Sequence, residues 1–194
     1  MEPIRSFIAI ELPKQVKSTL SELEDNLRSS EHYSVRWVAP DGIHLTLKFL
    51  GNIVSENVVE IEKAISEAAR GFAPFNLDIG KLGVFPNIQA PRVVWVGLEG
   101  EIENLLTLHN NIERTLMPLG FSPEGRAFSP HLTLGRVRES ASPGERRRLG
   151  EIVTSLKVGG KVSFRIDCIN LMRSQLTREG AVYSCLASVA LESG

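Results

Sequence analysis

The tetrapeptide His-Leu-Thr-Leu occurs twice in this chain, at residues 44–47 and 131–134, 87 positions apart. Two of the four histidines therefore sit in identical local settings. Histidine and threonine alternating with leucine fit an extended strand, in which successive side chains point to opposite faces. His44 and Thr46 then share one face while Leu45 and Leu47 anchor the other, and His131, Thr133, Leu132 and Leu134 repeat the arrangement. The fold has to accommodate two half-buried strands of the same kind. Set side by side, they make a symmetric site of two imidazoles and two hydroxyls.

The flanking pattern mixes strands with helices. Phe7 to Ile10 reads as a strand ended by Pro13, and Val16, Leu20, Leu23 and Leu27 follow at helical spacing. Val35 to Val38 and Ile43 to Leu50 read as strands around the turn Pro40-Asp41-Gly42, before a helix from Ser55 with Val58, Ile61, Ile65 and Ala68 on one face. Phe75 to Ile79 and Arg92 to Val96 are two further strands, joined by a Gly/Pro-bearing segment from Gly80 to Pro91. A helix from about Glu101 to Met117 carries the stripe Ile102, Leu105, His109, Ile112 and Leu116. Ser142-Pro143-Gly144-Glu145 has the form of a capping box opening another helix, and Val162 to Ile169 and Ala181 to Leu191 close the chain as strands. The expected architecture is α+β and bilobal: residues 1–194 form a single domain of two pseudo-twofold lobes with one His-x-Thr strand each. Two antiparallel-rich sheets face a central cleft, with helices on the outside.

Composition narrows the partners. The net charge of -1 gives no global attraction to nucleic acid or to an anionic membrane, so any polyanion binding is local. No apolar run approaches the roughly 18–20 residues of a membrane span, and the apolar stretch near the start is too short for a secretory signal. A cytoplasmic protein is the expectation. Cys168 and Cys185 have neither disulfide-scaffold density nor metal-ligand spacing, and both read as buried thiols on apolar strand faces.

Two histidines suit a divided proton transfer, because imidazole, with an unperturbed pKa of about 6.5, donates or accepts near neutrality. One neutral ring takes a proton from an attacking water while the other, protonated, gives one to the departing oxygen. That geometry matches in-line displacement at phosphorus, with the threonine hydroxyls on the non-bridging oxygens. A metal site is disfavoured, since no acidic residue or cysteine lies within either motif to complete a first shell. No nucleophile elbow is evident. By motif symmetry alone the acid and the base are interchangeable.

The chain resembles the two-histidine phosphoesterases, marked by paired His-x-Thr-x motifs, and within them the RNA 2',3'-cyclic phosphodiesterases formerly described as 2'-5' RNA ligases. The resemblance extends through Arg5 to Ile10, Trp37 and Pro40, Phe85-Pro86, Pro91 to Gly97, and Arg126 to Pro130. It implies hydrolysis of a 2',3'-cyclic phosphate on RNA or a cyclic nucleotide to a 2'-phosphomonoester, without metal or cofactor. It further implies His44 as proton donor, His131 as proton acceptor, and Thr46, Thr133 and Arg136 as substrate-binding residues in a monomer. Regular alternation puts Arg136 on the leucine face, so that role requires a bulge, for which Gly135 is the natural place. The same alternation puts Lys48 on the face of His44, although a solvated lysine at the strand end fits equally.

Ligation is the reverse chemistry at the same site and is expected to be minor, since nothing marks a second site to hold a 5'-hydroxyl end against water. A noncatalytic binding module would not require a matched acid/base pair. Between Arg126 and Arg148 six arginines stand against two glutamates, a local patch able to track RNA, although Arg146 to Arg148 also read as a solvated helix face. Phe85, Phe128 and Trp95 are candidates to stack on a base, with core packing the commoner fate of such residues. His109 reads as a packed boundary residue and His32 as an exposed one without chemistry.

Overall fold

The structure is a computed structural model that describes residues 3–30, 35–178 and 180–192. The expected exposure of His32 lies outside these residues. In chain order the elements are β1 (Ile4–Glu11), α1 (Lys14–Ser30), β2 (Val35–Trp37), β3 (His44–Ile53), α2 (Asn57–Ala69), β4 (Phe75–Phe85), β5 (Val93–Gly100), α3 (Ile102–Leu116), β6 (His131–Val137), α4 (Pro143–Ser155), β7 (Ser163–Ile166), β8 (Cys168–Leu176) and β9 (Ala181–Ala190). The strands form two sheets, ordered β3-β1-β8-β9 and β2-β6-β5-β4-β7, with antiparallel pairing throughout. The fold is α+β, as the pattern predicts.

The helical stripes bury as expected. Val16, Leu20, Leu23 and Leu27 of α1, Ile61 and Ile65 of α2, and Leu105, Leu108, Ile112 and Leu116 of α3 join one core with Leu45, Leu47, Leu132 and Leu134 of the motif strands. The α4 capping box forms in full: Ser142 Oγ accepts from the Glu145 backbone N–H at 3.3 Å, and Glu145 Oε2 accepts from that of Ser142 at 2.7 Å. A cap of this kind stabilises by about 1 kcal/mol.

Three expectations are corrected. The segment after Ile79 is no loop as far as Phe85: β4 runs on through Gly80 and Gly83. These glycines hid the strand and are required by it, because a Cβ on Gly83 would lie 2.4 Å from the Trp95 indole of the neighbouring strand. The expected strand Val162 to Ile169 is instead β7 and the start of β8, broken at Asp167. The rest of β8 went unread because it sits inside its sheet, and its buried run Ile169, Asn170, Leu171 and Met172 lacks the alternation that marks a half-exposed strand. Cys185 is exposed, because β9 forms a sheet edge, whereas Cys168 is half-buried; both thiols are free and burial pushes both up in pKa.

Candidate active site

The two motifs begin β3 and β6, and these strands lie against each other although they belong to different sheets. The chain itself ties them together. β2 pairs with β6, Val38 N–H donates to Leu134 O at 2.8 Å, and the helical turn at Pro40–Gly42 then delivers the chain into β3 at His44. Each imidazole is held in the same way. His44 Nδ1 lies 2.9 Å from Gly42 O, and His131 Nδ1 lies 2.6 Å from Ser129 O, in both cases the carbonyl two residues upstream. A carbonyl only accepts, so Nδ1 carries the proton in both rings, and Nε2 is left as acceptor when the ring is neutral and donor when it is charged. Among the described residues, neither Thr46 nor Thr133 has a hydrogen-bond partner for its hydroxyl.

Both strands break their alternation just after the motif. In β3 the register against β1 slips so that Ile8 faces Lys48 and Ala9 faces Thr46, leaving Leu47 unpaired. In β6 the register against β5 slips at the equivalent place, Val94 facing Gly135 and Trp95 facing Thr133. Such a bulge sends two consecutive residues to one face and reverses parity beyond them. Leu134 and Gly135 are therefore both buried, and Arg136 returns to the face of His131 and Thr133. In β3 the reversal buries Lys48, correcting the regular-strand placement of that residue, and sends Phe49, 63% exposed, to the His44 face. Lys48 Nζ donates to both carboxylate oxygens of Glu113 on α3, at 2.7 and 2.9 Å, and to Ser122 O at 3.0 Å.

The surroundings of the two imidazoles differ. His44 stacks on Phe7 with ring centroids 4.7 Å apart, and the Tyr183 edge meets it at 4.9 Å. Burial there disfavours the imidazolium and holds the His44 pKa below the usual histidine range, against the hydrogen bond to Gly42. His131 meets the rings of Phe85 at 5.1 Å and Trp95 at 6.4 Å. Of the candidate stacking residues, Phe85 and Trp95 therefore wall the second motif, whereas Phe128 lies flat on His109 at 4.0 Å. His109 is buried as its stripe predicts, its Nε2 3.6 Å from Glu113.

The model of the LigT-like phosphoesterases matches this chain twice in succession, over residues 10–95 and 96–183, with one motif in each match. The chain belongs to that family. Proteins named RNA 2',3'-cyclic phosphodiesterase in Methanothermobacter thermautotrophicus and Thermotoga maritima are 35% and 31% identical to it, over 93% and 98% of this chain and 95% and 97% of their own. Among solved structures, Escherichia coli LigT complexed with 3'-AMP matches with a TM-score of 0.77 at 26% identity over 98% of this chain and 99% of LigT. TT0787 of Thermus thermophilus matches with the same score at 27% identity, over 97% of this chain and 98% of its own.

Within this LigT-like frame, three features of the site escaped the sequence. Phe7 and Tyr183 come from strands far apart in the chain: direct pairing of β1 with β3 places Phe7 at His44, and β9 brings Tyr183 to the same ring through β8. The Lys48–Glu113 pair joins residues 65 apart. Arg146, read as part of a solvated face, instead donates to the backbone oxygens of Pro91, Arg138 and Ala141, whereas Arg147 is exposed on that face as read and pairs with Glu151 one turn along the helix. Among the described residues no three His, Cys, Asp or Glu side chains are grouped to hold a metal, and no helix is long and apolar enough to cross a membrane.

Proposed function

We propose that this phosphoesterase opens the 2',3'-cyclic phosphate at an RNA end to a 2'-phosphomonoester, with His44 and His131 exchanging protons and no metal required. The observation that carries the proposal is the shared anchor, which fixes both Nδ1 protons on backbone carbonyls and reserves both Nε2 atoms for the substrate. The relatives named RNA 2',3'-cyclic phosphodiesterase support the substrate class.

In the proposed step, Nε2 of His131 takes a proton from water as the water oxygen bonds to phosphorus. The bond from phosphorus to the 3' oxygen breaks, and that oxygen takes the proton on Nε2 of His44. The phosphate stays on the 2' oxygen, and exchange with solvent resets the two rings. Proton transfer of this kind contributes about 10²–10⁴-fold. The free hydroxyls of Thr46 and Thr133 and the Arg136 guanidinium hold the non-bridging oxygens as charge redistributes. Burial disfavours the protonated form of His44 in the free protein and the negative phosphodiester favours it, so substrate binding helps to load the acid.

The test is incubation of EDTA-treated protein with a short RNA ending in a 2',3'-cyclic phosphate, followed by identification of the end group. Conversion to a 2'-phosphomonoester is expected. A 3'-phosphate product, or activity restored only by a divalent cation, would refute the mechanism.

A further inference from the structure

Arg36 stands beside the site with no assigned role. It lies in β2, directly opposite Arg136 in the β2–β6 register. Val35 and Trp37 face the core, where their side chains meet the position a Cβ on Gly135 would occupy, so Arg36 projects to the other face, the one carrying His131, Thr133 and Arg136. Two guanidinium groups thus rise from directly paired positions, with Cα atoms about 5 Å apart. Like charges placed so are destabilising in an unliganded sheet. Among the described residues neither arginine makes an ion pair, and both are exposed. An uncompensated cation pair on the substrate face is arranged for an anion.

The layout of the sheet says where that anion sits. On one side of β6 lies β5, whose Trp95, with Phe85 from β4, gives an aromatic wall. On the other side lies β2, the edge strand of its sheet, with Arg36 exposed on it. A nucleotide lying across β6 has its apolar ring and its charged backbone sorted between these two sides. Resting on the function proposed above, we infer that Arg36, sharing Arg136 with the reacting group, seats the internucleotide phosphate on the 5' side of the terminal nucleoside. The site thereby favours RNA ends over nucleoside cyclic phosphates that lack this second phosphate.

The test compares Arg36→Gln with the parent protein on a nucleoside 2',3'-cyclic phosphate and on the same nucleoside carrying an additional 5'-phosphate. Arg36 is exposed on an edge strand and makes no ion pair among the described residues, so the melting temperature should be retained. On the 5'-phosphorylated substrate kcat/KM is expected to fall about tenfold, mainly through KM, with a salt slope reduced by about 1. The loss on the substrate without the 5'-phosphate should be at least roughly fivefold smaller, and Arg36→Lys should recover much of the difference. Equal losses on both would put Arg36 on the reacting phosphate and overturn the subsite, as would an undiminished preference for the 5'-phosphorylated substrate. A parent protein inactive on both would overturn the function itself, and the subsite with it.

Discussion

The strands β3 and β6 share a tetrapeptide, a carbonyl anchor and a bulge, yet they deliver different chemistry beyond it. In β3 the bulge buries Lys48 against Glu113 and presents Phe49; in β6 it buries Gly135 under Val35 and Trp37 and presents Arg136. The imidazoles differ in the same sense, His44 being stacked on Phe7 where burial disfavours its charged form, while His131 stands against the Phe85 and Trp95 rings on the face that also carries Arg136. A repeated backbone device therefore presents two imidazoles held alike, and the residues after each bulge set their surroundings apart.

Removing the shared part should have the largest effect. His44→Ala and His131→Ala are each expected to lower kcat by about 10²–10⁴-fold with unchanged circular dichroism. A loss confined to one of them would break the symmetry of the pair. Next comes the buried face of the first bulge. Lys48→Met leaves the Glu113 carboxylate buried without its partner and should cost about 3–5 kcal/mol in urea melts, most of it recovered in the Lys48→Met, Glu113→Leu double variant. The second bulge needs glycine where the first holds lysine: Gly135→Ala would bring a Cβ to 2.6 Å from Val35 and 3.0 Å from Trp37, for a cost of about 1–3 kcal/mol. That variant should weaken turnover as well, because β2 holds the approach to His44.

The smallest effect concerns the environment of His44 alone. Its lowered pKa means that, as pH falls through the ordinary value of 6.5, the unfolded chain takes up a proton that the folded protein still refuses. His44 therefore subtracts from stability in acid, from 6.5 down to its folded pKa, and leaves stability unaffected at higher pH. Tyr183→Ala admits water to the ring and should raise the His44 pKa toward 6.5, as read by imidazole proton shifts in NMR. An unmoved His44 would mean that Tyr183 does not set the burial of that ring.

Much of the site was legible because it is local. The His-x-Thr alternation, its leucine anchors and the Ser142 capping box need only neighbouring residues, and the bulge at Gly135 followed from asking how Arg136 reaches the face of His131. The equivalent bulge in β3 leaves no such mark in the sequence, because Lys48 sits on a regular strand as comfortably as on a bulged one until Glu113 of α3 supplies its partner. Phe7, Tyr183 and Arg36 reach the site only through strand pairing, and β8, which carries β9 and its Tyr183 to His44, is buried inside its sheet where alternation fades.

The pairing of β1 with β8, and of β8 with β9, also governs when the protein becomes competent. The strand carrying His44 is made early, but its sheet gains its third and fourth members only from residues 168–176 and 181–190. The other sheet closes earlier along the chain, from residues 35–166. During synthesis the nascent chain thus holds His131 in a finished setting while the wall behind His44 is still missing Tyr183. Contacts of such long sequence separation form late and slowly. A half-made chain emerging from the ribosome therefore carries both motifs while the Tyr183 ring that meets His44 is still to come.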